Sequence, residues 1–320
     1  MQPPTFQDII NARAIVDAHL PRTPMLRSPA LSRLTSCDVY LKLESLAPIG
    51  SFKGRGAIHR LAQLTPAEKR RGVITASTGN HGGAVAWAAQ QMGTTATVVL
   101  PVGVPDIKRE FIADAGAHIV VAGRNWNESC IVARQLAAEQ EMLYLEDGED
   151  PAIMAGAGTV GLDIMEECPD AEVLVVPVGG GNFIAGCALA AKGMKPSVRV
   201  VGVQSEAAPG VYQSWQRGVV TSAECNTFAG GIATTGPIEK AFNVMRETVD
   251  GMYLVSEDEL MRGIALIAKH HALIVEGAAA APLAALLRYR DDFARTRVVL
   301  VVSGRNLDLD TLARALRFAQ

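Results

Sequence analysis

The sequence has little charge imbalance and few aromatic residues. Its 320 residues include 30 Lys plus Arg against 33 Asp plus Glu, a formal net charge of −3, and only 5% are Phe, Trp or Tyr. A near-neutral chain has no bulk electrostatic attraction for nucleic acid or for an anionic membrane, so we expect neither as a partner. The hydrophobic fraction of 49% excludes disordered and collagen-like chains. At this length we expect about two globular domains.

Paired cysteines and export signals are also missing. The five cysteines show no Cys-x-x-Cys spacing, so the sequence predicts neither a disulfide framework nor a thiolate zinc site. The N-terminus lacks the basic start and apolar run of a signal peptide. The uncharged run 173–191 is interrupted by Pro177 and by three glycines, which excludes a membrane-spanning helix. We expect a soluble, cytoplasmic protein.

Several common catalytic signatures are absent as well. There is no Walker phosphate loop, no His-Glu-x-x-His zinc motif and no Gly-x-Ser-x-Gly nucleophile motif. Gly156-Ala-Gly158-Thr-Val-Gly161 matches the fingerprint of dinucleotide-binding proteins, but the residues before it predict a helix and not the required strand. We expect these glycines to permit close helix packing.

The chain does contain an alternation of short β-branched runs and Ala-rich helical stretches. Apolar spacing predicts helices over 6–19, from Lys53 to about Leu64, and over 126–139. Strands are predicted at 39–43, 73–75, 97–100, 118–121, 143–145, 173–176, 198–202 and 298–302. Several of these strands are apolar throughout, so the sequence predicts an α/β fold with parallel-rich twisted sheets flanked by helices.

Residues 72–105 contain no Asp, Glu, Lys or Arg. Because an exposed segment rarely stays uncharged for so long, we expect this one to be buried between domains or to line a site. The polar loop 146–150 is a candidate crossover between two α/β units. We expect a small α/β domain over 72–147 and a large, discontinuous domain over 1–71 and 148–320.

The first motif that predicts chemistry surrounds Lys53, in Gly50-Ser-Phe-Lys53-Gly-Arg-Gly56. Flanking glycines permit tight turns and the close approach of a ligand. A partly desolvated lysine at the start of a helix can act as a nucleophilic amine. The alternative is an ordinary exposed lysine in a turn.

The second motif is a glycine turn, Gly179-Gly-Gly181-Asn182, between a predicted strand and a helix. Successive backbone N–H groups in such a turn form an anion site, to which the helix dipole adds. The alternative is a tight strand–helix connection without a ligand.

The third motif is Ser77-Thr-Gly-Asn-His81-Gly-Gly83, also between a strand and a helix. Its hydroxyl and N–H groups at a helix start suit a carboxylate. The alternative is a helix cap without a ligand.

A reactive lysine, an anion site and a carboxylate site together suit an amino acid joined to pyridoxal phosphate (PLP). The chain resembles, over nearly its full length, the fold-type II PLP enzymes of the tryptophan-synthase-β-like superfamily, in the threonine/serine dehydratase and serine racemase branch. The resemblance implies a two-domain fold with the cofactor between the domains. The motifs that carry it occur in family order: Lys42-Leu-Glu44, Gly50–Ala57, Ser77–His81, Ala155–Thr159, Gly179–Gly181, Glu276–Ala278 and Ser303–Asn306.

The resemblance implies roles for the matching residues. Lys53 would bond to the aldehyde of the cofactor and later remove the Cα proton of the substrate. Thr78 could return a proton from the opposite face of the ring, as a racemase needs. Expected cofactor contacts are Phe52 on the ring, Asn80 on the 3′ oxygen, Ser303 near the pyridine nitrogen, and Gly179, Gly180, Gly181 and Asn182 around the phosphate. The substrate carboxylate would be held by Ser77, Thr78, Gly79 and His81.

The chain departs from the family pattern at several positions. Asn182 replaces a fourth glycine, but asparagine tolerates left-handed backbone, so we expect phosphate binding to survive. Gln204 and Gly210 stand where the racemase branch has two acidic ligands for a divalent cation, so we expect no metal. Gly230 replaces an aspartate near the substrate and leaves room for a larger side chain.

Arg305 replaces a glycine beside Ser303 and is counted among the expected cofactor contacts. A guanidinium that reaches the pyridine nitrogen would keep that nitrogen unprotonated and favour prompt elimination over a long-lived carbanion. The alternative is a solvent-facing arginine paired with Asp308 or Asp310.

These observations predict a PLP-dependent ammonia-lyase that dehydrates a β-hydroxy-α-amino acid to a 2-oxo acid and ammonia. Serine and threonine are the substrates expected from the resemblance, and Gly230 and Arg305 add phenylserine. A racemase, a β-replacement synthase and a PLP-binding protein without turnover stay open as alternatives. The resemblance also implies a homodimer whose small-molecule partner is an amino acid.

Overall fold

The structure, a computed structural model, describes residues 2–319 and contains two β-sheets flanked by helices. Its strands are β1 (Met25–Arg27), β2 (Asp38–Lys42), β3 (Val73–Ala76), β4 (Ala96–Leu100), β5 (His118–Val121), β6 (Leu143–Tyr144), β7 (Val173–Pro177), β8 (Arg199–Ser205), β9 (Gly251–Val255) and β10 (Arg297–Val301).

The α-helices surround these sheets on both sides. They are α1 (Phe6–His19), α2 (Pro29–Thr35), α3 (Lys53–Leu61), α4 (Pro66–Arg71), α5 (Asn80–Gln91), α6 (Asp106–Asp114), α7 (Trp126–Glu139), α8 (Pro151–Glu167), α9 (Asn182–Met194), α10 (Gly210–Arg217), α11 (Glu239–Thr248), α12 (Glu257–His271), α13 (Gly277–Arg288) and α14 (Leu309–Leu316).

Both sheets are dominated by parallel pairing. The larger has the order β1-β2-β10-β7-β8-β9, in which β1 alone runs antiparallel to its neighbour. The smaller has the order β5-β4-β3-β6 and is parallel throughout. Parallel strands need crossover connections, and helices supply them on both faces. The predicted α/β class with parallel-rich sheets is confirmed.

Strand β7 shows why the central strands are apolar at every position. Val173 and Val175 pack into a core formed with α12 and α13, whereas Leu174 and Val176 pack into a core formed with α8 and α9. Successive side chains of a strand point to opposite faces, so a strand covered on both sides needs an uninterrupted apolar run.

Helix α8 contains the Gly-x-Gly-x-x-Gly stretch, and its glycines are packing positions. A Cβ atom at Gly161 would lie 2.6 Å from the carbonyl oxygen of Cys187 in α9, and one at Gly186 would lie 2.6 Å from the carbonyl oxygen of Met154. Side chains at these positions would therefore force the two helices apart. Both predictions for this stretch, no dinucleotide turn and close helix packing, are confirmed.

Every strand predicted from the sequence is present, with ends shifted by up to three residues. Two further strands, β1 and β9, lie at the edges of the larger sheet and were not predicted. They are three and five residues long and lack a continuous β-branched run. Their pairing with β2 and β8 decides their structure more than their own composition does.

The proposed domain division stays a prediction. All strands of the smaller sheet lie within 72–147. Helix α3, from the 1–71 segment, nevertheless packs Ile58 and Leu61 into the same core as Val73 of that sheet. Within residues 2–319, no helix is both long and apolar enough to cross a membrane.

Candidate active site

The segment before α3 and the segment after β10 meet as a short antiparallel pair. Phe52 N donates to Ser303 O at 3.1 Å, Arg305 N donates to Gly50 O at 2.8 Å, and Ser51 pairs with Gly304. Gly50 has φ +74°, and a Cβ atom there would lie 2.6 Å from the side-chain oxygen of Asn306. A glycine is therefore required for this approach. Two motifs 250 residues apart are thus adjacent in the fold.

The glycine turn forms a corner between β7 and α9. Gly181 has φ +98°, and a Cβ atom at Gly180 would lie 2.8 Å from Ile238 Cδ1. Within residues 2–319, the N–H groups of Gly179, Gly180 and Gly181 have no hydrogen-bond acceptor. Unpaired N–H groups at the start of a 13-residue helix are a favourable place for a phosphate.

The corner and the lysine are brought together by two phenylalanines. The ring of Phe52, which precedes Lys53, stacks on the ring of Phe183, which follows Asn182, with centroids 3.6 Å apart and planes 12° from parallel. One face of Phe52 is therefore covered by protein. Its predicted contact with the cofactor ring stays a prediction and would use the rest of the side chain.

Unpartnered polar atoms lie around this corner. The side-chain oxygens of Ser51, Asn182 and Thr234 are buried without a hydrogen-bond partner among the described residues. The methyl carbon of Thr234 lies 3.6 Å from the position that a Cβ atom at Gly179 would take. Buried polar groups are almost always paired in native proteins, so these oxygens fit a site for a polar ligand such as a phosphate. The sequence analysis did not select Thr234 as a site residue. Its only indication in the sequence is that it follows Gly230 by four positions.

Lys53 contacts a carboxylate that the sequence analysis did not select. Its Nζ lies 2.6 and 2.5 Å from the two oxygens of Asp147 and 5.3 Å from the centroid of the Phe52 ring. Burial alone would raise the pKa of Asp147, but the charge of Lys53 outweighs it, with the Lys53 hydrogen bond and the protonated form of His81 adding to the effect, and the pKa is lowered to about 2. Lys53 and Asp147 are both partly exposed, and the opening that they line is called the cleft below. A charged partner thus holds Lys53 there, which argues against an ordinary exposed lysine.

Ser77 caps helix α5. Its Oγ accepts hydrogen bonds from Gly82 N at 3.0 Å and from Gly79 N at 3.4 Å, so the capping alternative describes its present contacts. Thr78 and Gly79 are half-buried, and no atom lies within 4 Å of a Cβ atom placed at Gly79. Their predicted contacts with the substrate carboxylate stay predictions, as does that of Ser77.

His81 is buried on the first turn of α5. Its Nδ1 lies 3.7 Å from the Asp147 carboxylate, and its Nε2 lies 3.5 Å from the carbonyl oxygen of Leu145. Burial lowers the pKa of His81, against the opposing effect of the Asp147 charge. A neutral imidazole is therefore expected at pH 7, and its role toward a substrate carboxylate stays a prediction.

Asn80 joins two other motifs. Its amide nitrogen donates to both oxygens of Glu276 at 3.0 Å, and its oxygen accepts from the amide of Asn306 at 2.7 Å. Burial raises the pKa of Glu276 to about 7, although hydrogen bonding from Asn80 and the charge of Lys53 oppose the rise. The predicted bond from Asn80 to the cofactor would share an amide that Glu276 already uses.

Arg305 is exposed, as the solvent-facing alternative expects, and its contact with the cofactor stays a prediction. Its Nη1 donates to the carbonyl oxygen of Ser45 at 2.6 Å, whereas Asp308 caps helix α14 through Thr311 N at 2.7 Å. The backbone N–H of Arg305 donates to Gly50 O, and its side chain extends to the 44–46 segment, where the guanidinium binds Ser45 O. Ser303, in contrast, is buried beside Phe52, and its expected approach to the pyridine nitrogen stays a prediction.

Gly230 and Gln204 are two other positions at which the chain departs from the family pattern. Gly230 is exposed and no atom lies within 4 Å of a Cβ atom placed there, so the expected room for a larger substrate side chain stays a prediction. Gln204 Oε1 accepts from Val211 N at 3.1 Å and from Tyr212 N at 2.9 Å, so it caps α10. Among the residues that the structure describes, no group of three or more His, Cys, Asp or Glu is arranged to hold a metal ion.

A lysine close to unpaired N–H groups at a helix start is what an enzyme with an anionic aldehyde cofactor requires. The family model described as pyridoxal-phosphate dependent enzyme matches residues 16–304, and the chain belongs to this family. It is therefore PLP-dependent.

Individual relatives agree with this assignment. The chain is 38% identical to the L-threonine ammonia-lyase of Thermotoga maritima, over 98% of this chain and 78% of the relative. It is 35% identical to the catabolic L-threonine dehydratase TdcB of Escherichia coli K12, over 99% and 97%.

Solved structures show the same fold. Threonine deaminase isoform 2 of Solanum lycopersicum has a TM-score of 0.94 at 30% identity, covering 98% of this chain and 93% of that one. Maize serine racemase has a TM-score of 0.93 at 28% identity, covering 98% and 97%. The predicted resemblance to fold-type II PLP enzymes is confirmed.

Proposed function

We propose that the chain is a PLP-dependent ammonia-lyase that removes water from a β-hydroxy-α-amino acid and releases a 2-oxo acid and ammonia. The observation that carries the proposal is the Phe52–Phe183 stack, which joins the residue before Lys53 to the residue after Asn182. This contact supports a site in which one molecule with an aldehyde and a phosphate reaches both Lys53 and the glycine corner. The names of the relatives, an L-threonine ammonia-lyase and an L-threonine dehydratase, support elimination as the reaction.

Each part of the site has a task in this proposal. The N–H groups of Gly179–Asn182 would hold the phosphate, and Lys53 would hold the aldehyde. When bound, PLP would supply an electron-withdrawing ring that makes the Cα proton of an amino acid removable. The Lys53 amine would take up that proton. The 77–81 segment binds the substrate carboxylate through N–H and hydroxyl groups.

Gly230 determines how large a side chain the site accepts. The open space at its Cβ position leaves room where an aspartate would project. Serine and threonine fit such a site, and the additional room favours phenylserine as a third substrate. An aromatic side chain would gain the most from filling apolar space.

A racemase is the second candidate function, and Thr78 favours it. Its side chain is half-buried in the loop that precedes α5, so its hydroxyl is available to a ligand there. The maize relative of the same fold is named a serine racemase. Racemisation needs a proton donor on the face opposite Lys53, and we propose Thr78 for that position.

Products distinguish the two functions. The protein is incubated with L-serine, L-threonine and both phenylserine diastereomers, and ammonia, 2-oxo acid and D-amino acid are measured. Elimination predicts ammonia and 2-oxo acid in equal amounts, whereas D-serine without ammonia would establish the racemase. The variant Lys53→Ala is expected to lose activity by at least about 100-fold, since a positioned proton acceptor contributes about 10²–10⁴. An unchanged visible absorption band of bound cofactor in this variant would refute the role of Lys53.

Three further proposals concern organisation. We propose a large PLP-binding domain of residues 1–71 and 148–320 and a small domain of residues 72–147, with the cofactor between them. We also propose a cytoplasmic homodimer, which exposed apolar side chains such as Ile10 at 40% and Met194 at 41% support. Light scattering that returns the monomer mass of 33.9 kDa would overturn the dimer.

A further inference from the structure

The Asp147 carboxylate is directed at the reactive lysine. Both of its oxygens lie within 2.6 Å of Lys53 Nζ, a two-point contact that fixes the amine. Within residues 2–319, no other side chain donates a hydrogen bond to this carboxylate, because His81 Nδ1 is 3.7 Å away. Asp147 therefore has Lys53 as its direct partner.

The loop that carries Asp147 is held at several points. Asp150 caps α8 through Ala152 N at 2.9 Å and binds Arg60 Nε at 2.5 Å. Gly148 has φ +98° and lies against Ile238, beside the glycine corner. A loop fixed at Gly148 and Asp150 keeps Asp147 directed into the cleft.

The other acidic residues of the loop are engaged elsewhere. Glu146 pairs with Arg134 at 2.9 Å, and Glu149 pairs with Lys240 at 3.3 Å, both at the surface. The charge of Lys53 also acts on His81 and on Glu276. Glu276 accepts hydrogen bonds from Asn80 and is in addition influenced by the charge of Lys108. Among these groups, Asp147 alone makes direct contact with the lysine amine.

We propose that Asp147 is a positioning residue that holds the Lys53 amine when it is free of the cofactor and stabilises its protonated form. The inference rests on the proposed function. When the Cα–H bond of the substrate breaks, the proton passes to the lone pair of Nζ, and the resulting ammonium faces the carboxylate. The C–H electron pair forms the Cα–Cβ double bond as the Cβ–O bond breaks. The hydroxyl leaves as water with the proton that the ammonium returns.

The physical basis is differential stabilisation. A carboxylate interacts with an ammonium far more strongly than with a neutral amine, so it stabilises the state that follows proton removal. Asp147 can do this at every working pH, because its pKa near 2 keeps it ionised. The same preference opposes the first coupling of the lysine to the aldehyde, which requires the neutral amine.

These opposite effects define the experiment. Asp147→Asn removes the charge at nearly constant shape, and Glu149→Gln removes a charge from the same loop outside the cleft. Each protein is mixed with PLP, reduced with borohydride at intervals and analysed by mass spectrometry for the conjugate at Lys53. The kcat and KM for ammonia release are measured separately between pH 6 and pH 9.

For Asp147→Asn we expect faster conjugation and slower turnover. Conjugation at pH 7 should accelerate by about tenfold, since the carboxylate in contact with Lys53 Nζ favours the ammonium over the neutral amine that attacks the aldehyde. The kcat should fall by about 10- to 100-fold, with KM within about threefold and a changed pH profile. Glu149→Gln should match the wild type in both measurements. A merely structural role would slow both processes.

The outcomes separate the two proposals. Asp147→Asn that conjugates and turns over like Glu149→Gln overturns the role of Asp147 and leaves the proposed function intact. A wild type that forms no conjugate at Lys53, or releases no ammonia, overturns the proposed function instead. Should Asp147→Asn fail to fold, Asp147→Glu supplies the test: it retains the charge and should conjugate at the wild-type rate, and a tenfold acceleration in it contradicts the inference.

Discussion

The first turn of α3 carries two cations with opposite surroundings. Lys53 lies in the cleft with 21% of its side chain exposed, beside a loop carboxylate, Asp147, that is 39% exposed. Arg55 is 4% exposed and contacts Glu44 and Asp163, whose side chains are fully buried. The two residues are separated by one glycine in the sequence.

Helix geometry explains the difference. Residues two apart on an α-helix point about 200° away from each other, so one cation faces the cleft while the other faces α8. Arg55 Nη1 also donates to Thr159 Oγ1 of α8 at 3.1 Å. Charge alone therefore does not mark a catalytic residue. Lys53 is partly exposed and contacts one carboxylate, whereas the Arg55 guanidinium is buried and joins α3 to α8.

Removing the buried cation should have the largest effect on stability. Arg55→Met removes the guanidinium from the buried Glu44 and leaves Asp163 paired with Arg13, and we expect a loss of about 3–5 kcal/mol in the free energy of unfolding. Burial alone would lower the pKa of Arg55, but the two carboxylates outweigh it and raise the pKa, which agrees with a tightly bound charge. Urea unfolding of the PLP-loaded protein measures the effect.

Arg124→Met is the matched control for that variant. Arg124 also pairs with a glutamate, Glu128, but 88% of its side chain is exposed. Its loss should change the free energy of unfolding by no more than about 1 kcal/mol. Similar losses in both variants would contradict the distinction between the buried cluster and the surface.

Glu276 can be compared with the buried carboxylates that contact Arg55. It is also buried, but its hydrogen-bond donor is the Asn80 amide and not a guanidinium. Burial raises the pKa of Glu276 from 4.5 to about 7. The contribution of Glu276 to the free energy of unfolding is therefore fully present below pH 4.5 and is lost as the pH rises through 7. We expect the wild type to lose up to about 3 kcal/mol relative to Glu276→Gln between pH 5 and pH 8. Thermal unfolding at the two pH values measures the difference.

Glu149→Gln is the control for this pH dependence. The Glu149 side chain is 48% exposed, so its replacement should change the free energy of unfolding by no more than about 0.5 kcal/mol at either pH. Asp147 affects a different range: its pKa is lowered from 3.8 to about 2, so its contribution is lost only as the pH falls below 4. If the stability of the wild type and of Glu276→Gln changed equally between pH 5 and pH 8, the raised pKa of Glu276 would be contradicted.

Arg305 is a third cation, and its replacement should have the smallest effect on the free energy of unfolding. Its guanidinium binds the Ser45 carbonyl, so Arg305→Ala should cost about 1 kcal/mol of stability. The number of turnovers per inactivated cofactor should change by less than about twofold, which corresponds to less than 0.5 kcal/mol. A large change in that ratio, measured by ammonia release and cofactor absorbance over time, would instead show a direct effect of Arg305 on the cofactor.

Much of the fold could be predicted because its signals are local. The runs in β7 and β10 are apolar at successive positions, and the predicted helix over 6–19 matches α1. The edge strands β1 and β9 were missed because pairing with a neighbour, and not their own residues, makes them strands. The same division applies to the site. Lys53 and the glycine turn are visible as motifs, whereas the partners of Asn80 and Arg305 lie 196 and 260 residues away along the chain.

Residue order alone determined the alternation of elements, the glycine corner and the presence of a lysine at a helix start, since each depends on neighbours within a few positions. Only the tertiary structure decided which charges face each other. Asp147 is 94 residues from Lys53, and Glu276 is 196 residues from Asn80. Such contacts follow from the crossovers between the two sheets, and side-chain electrostatics depends on distance in space and not on distance along the chain.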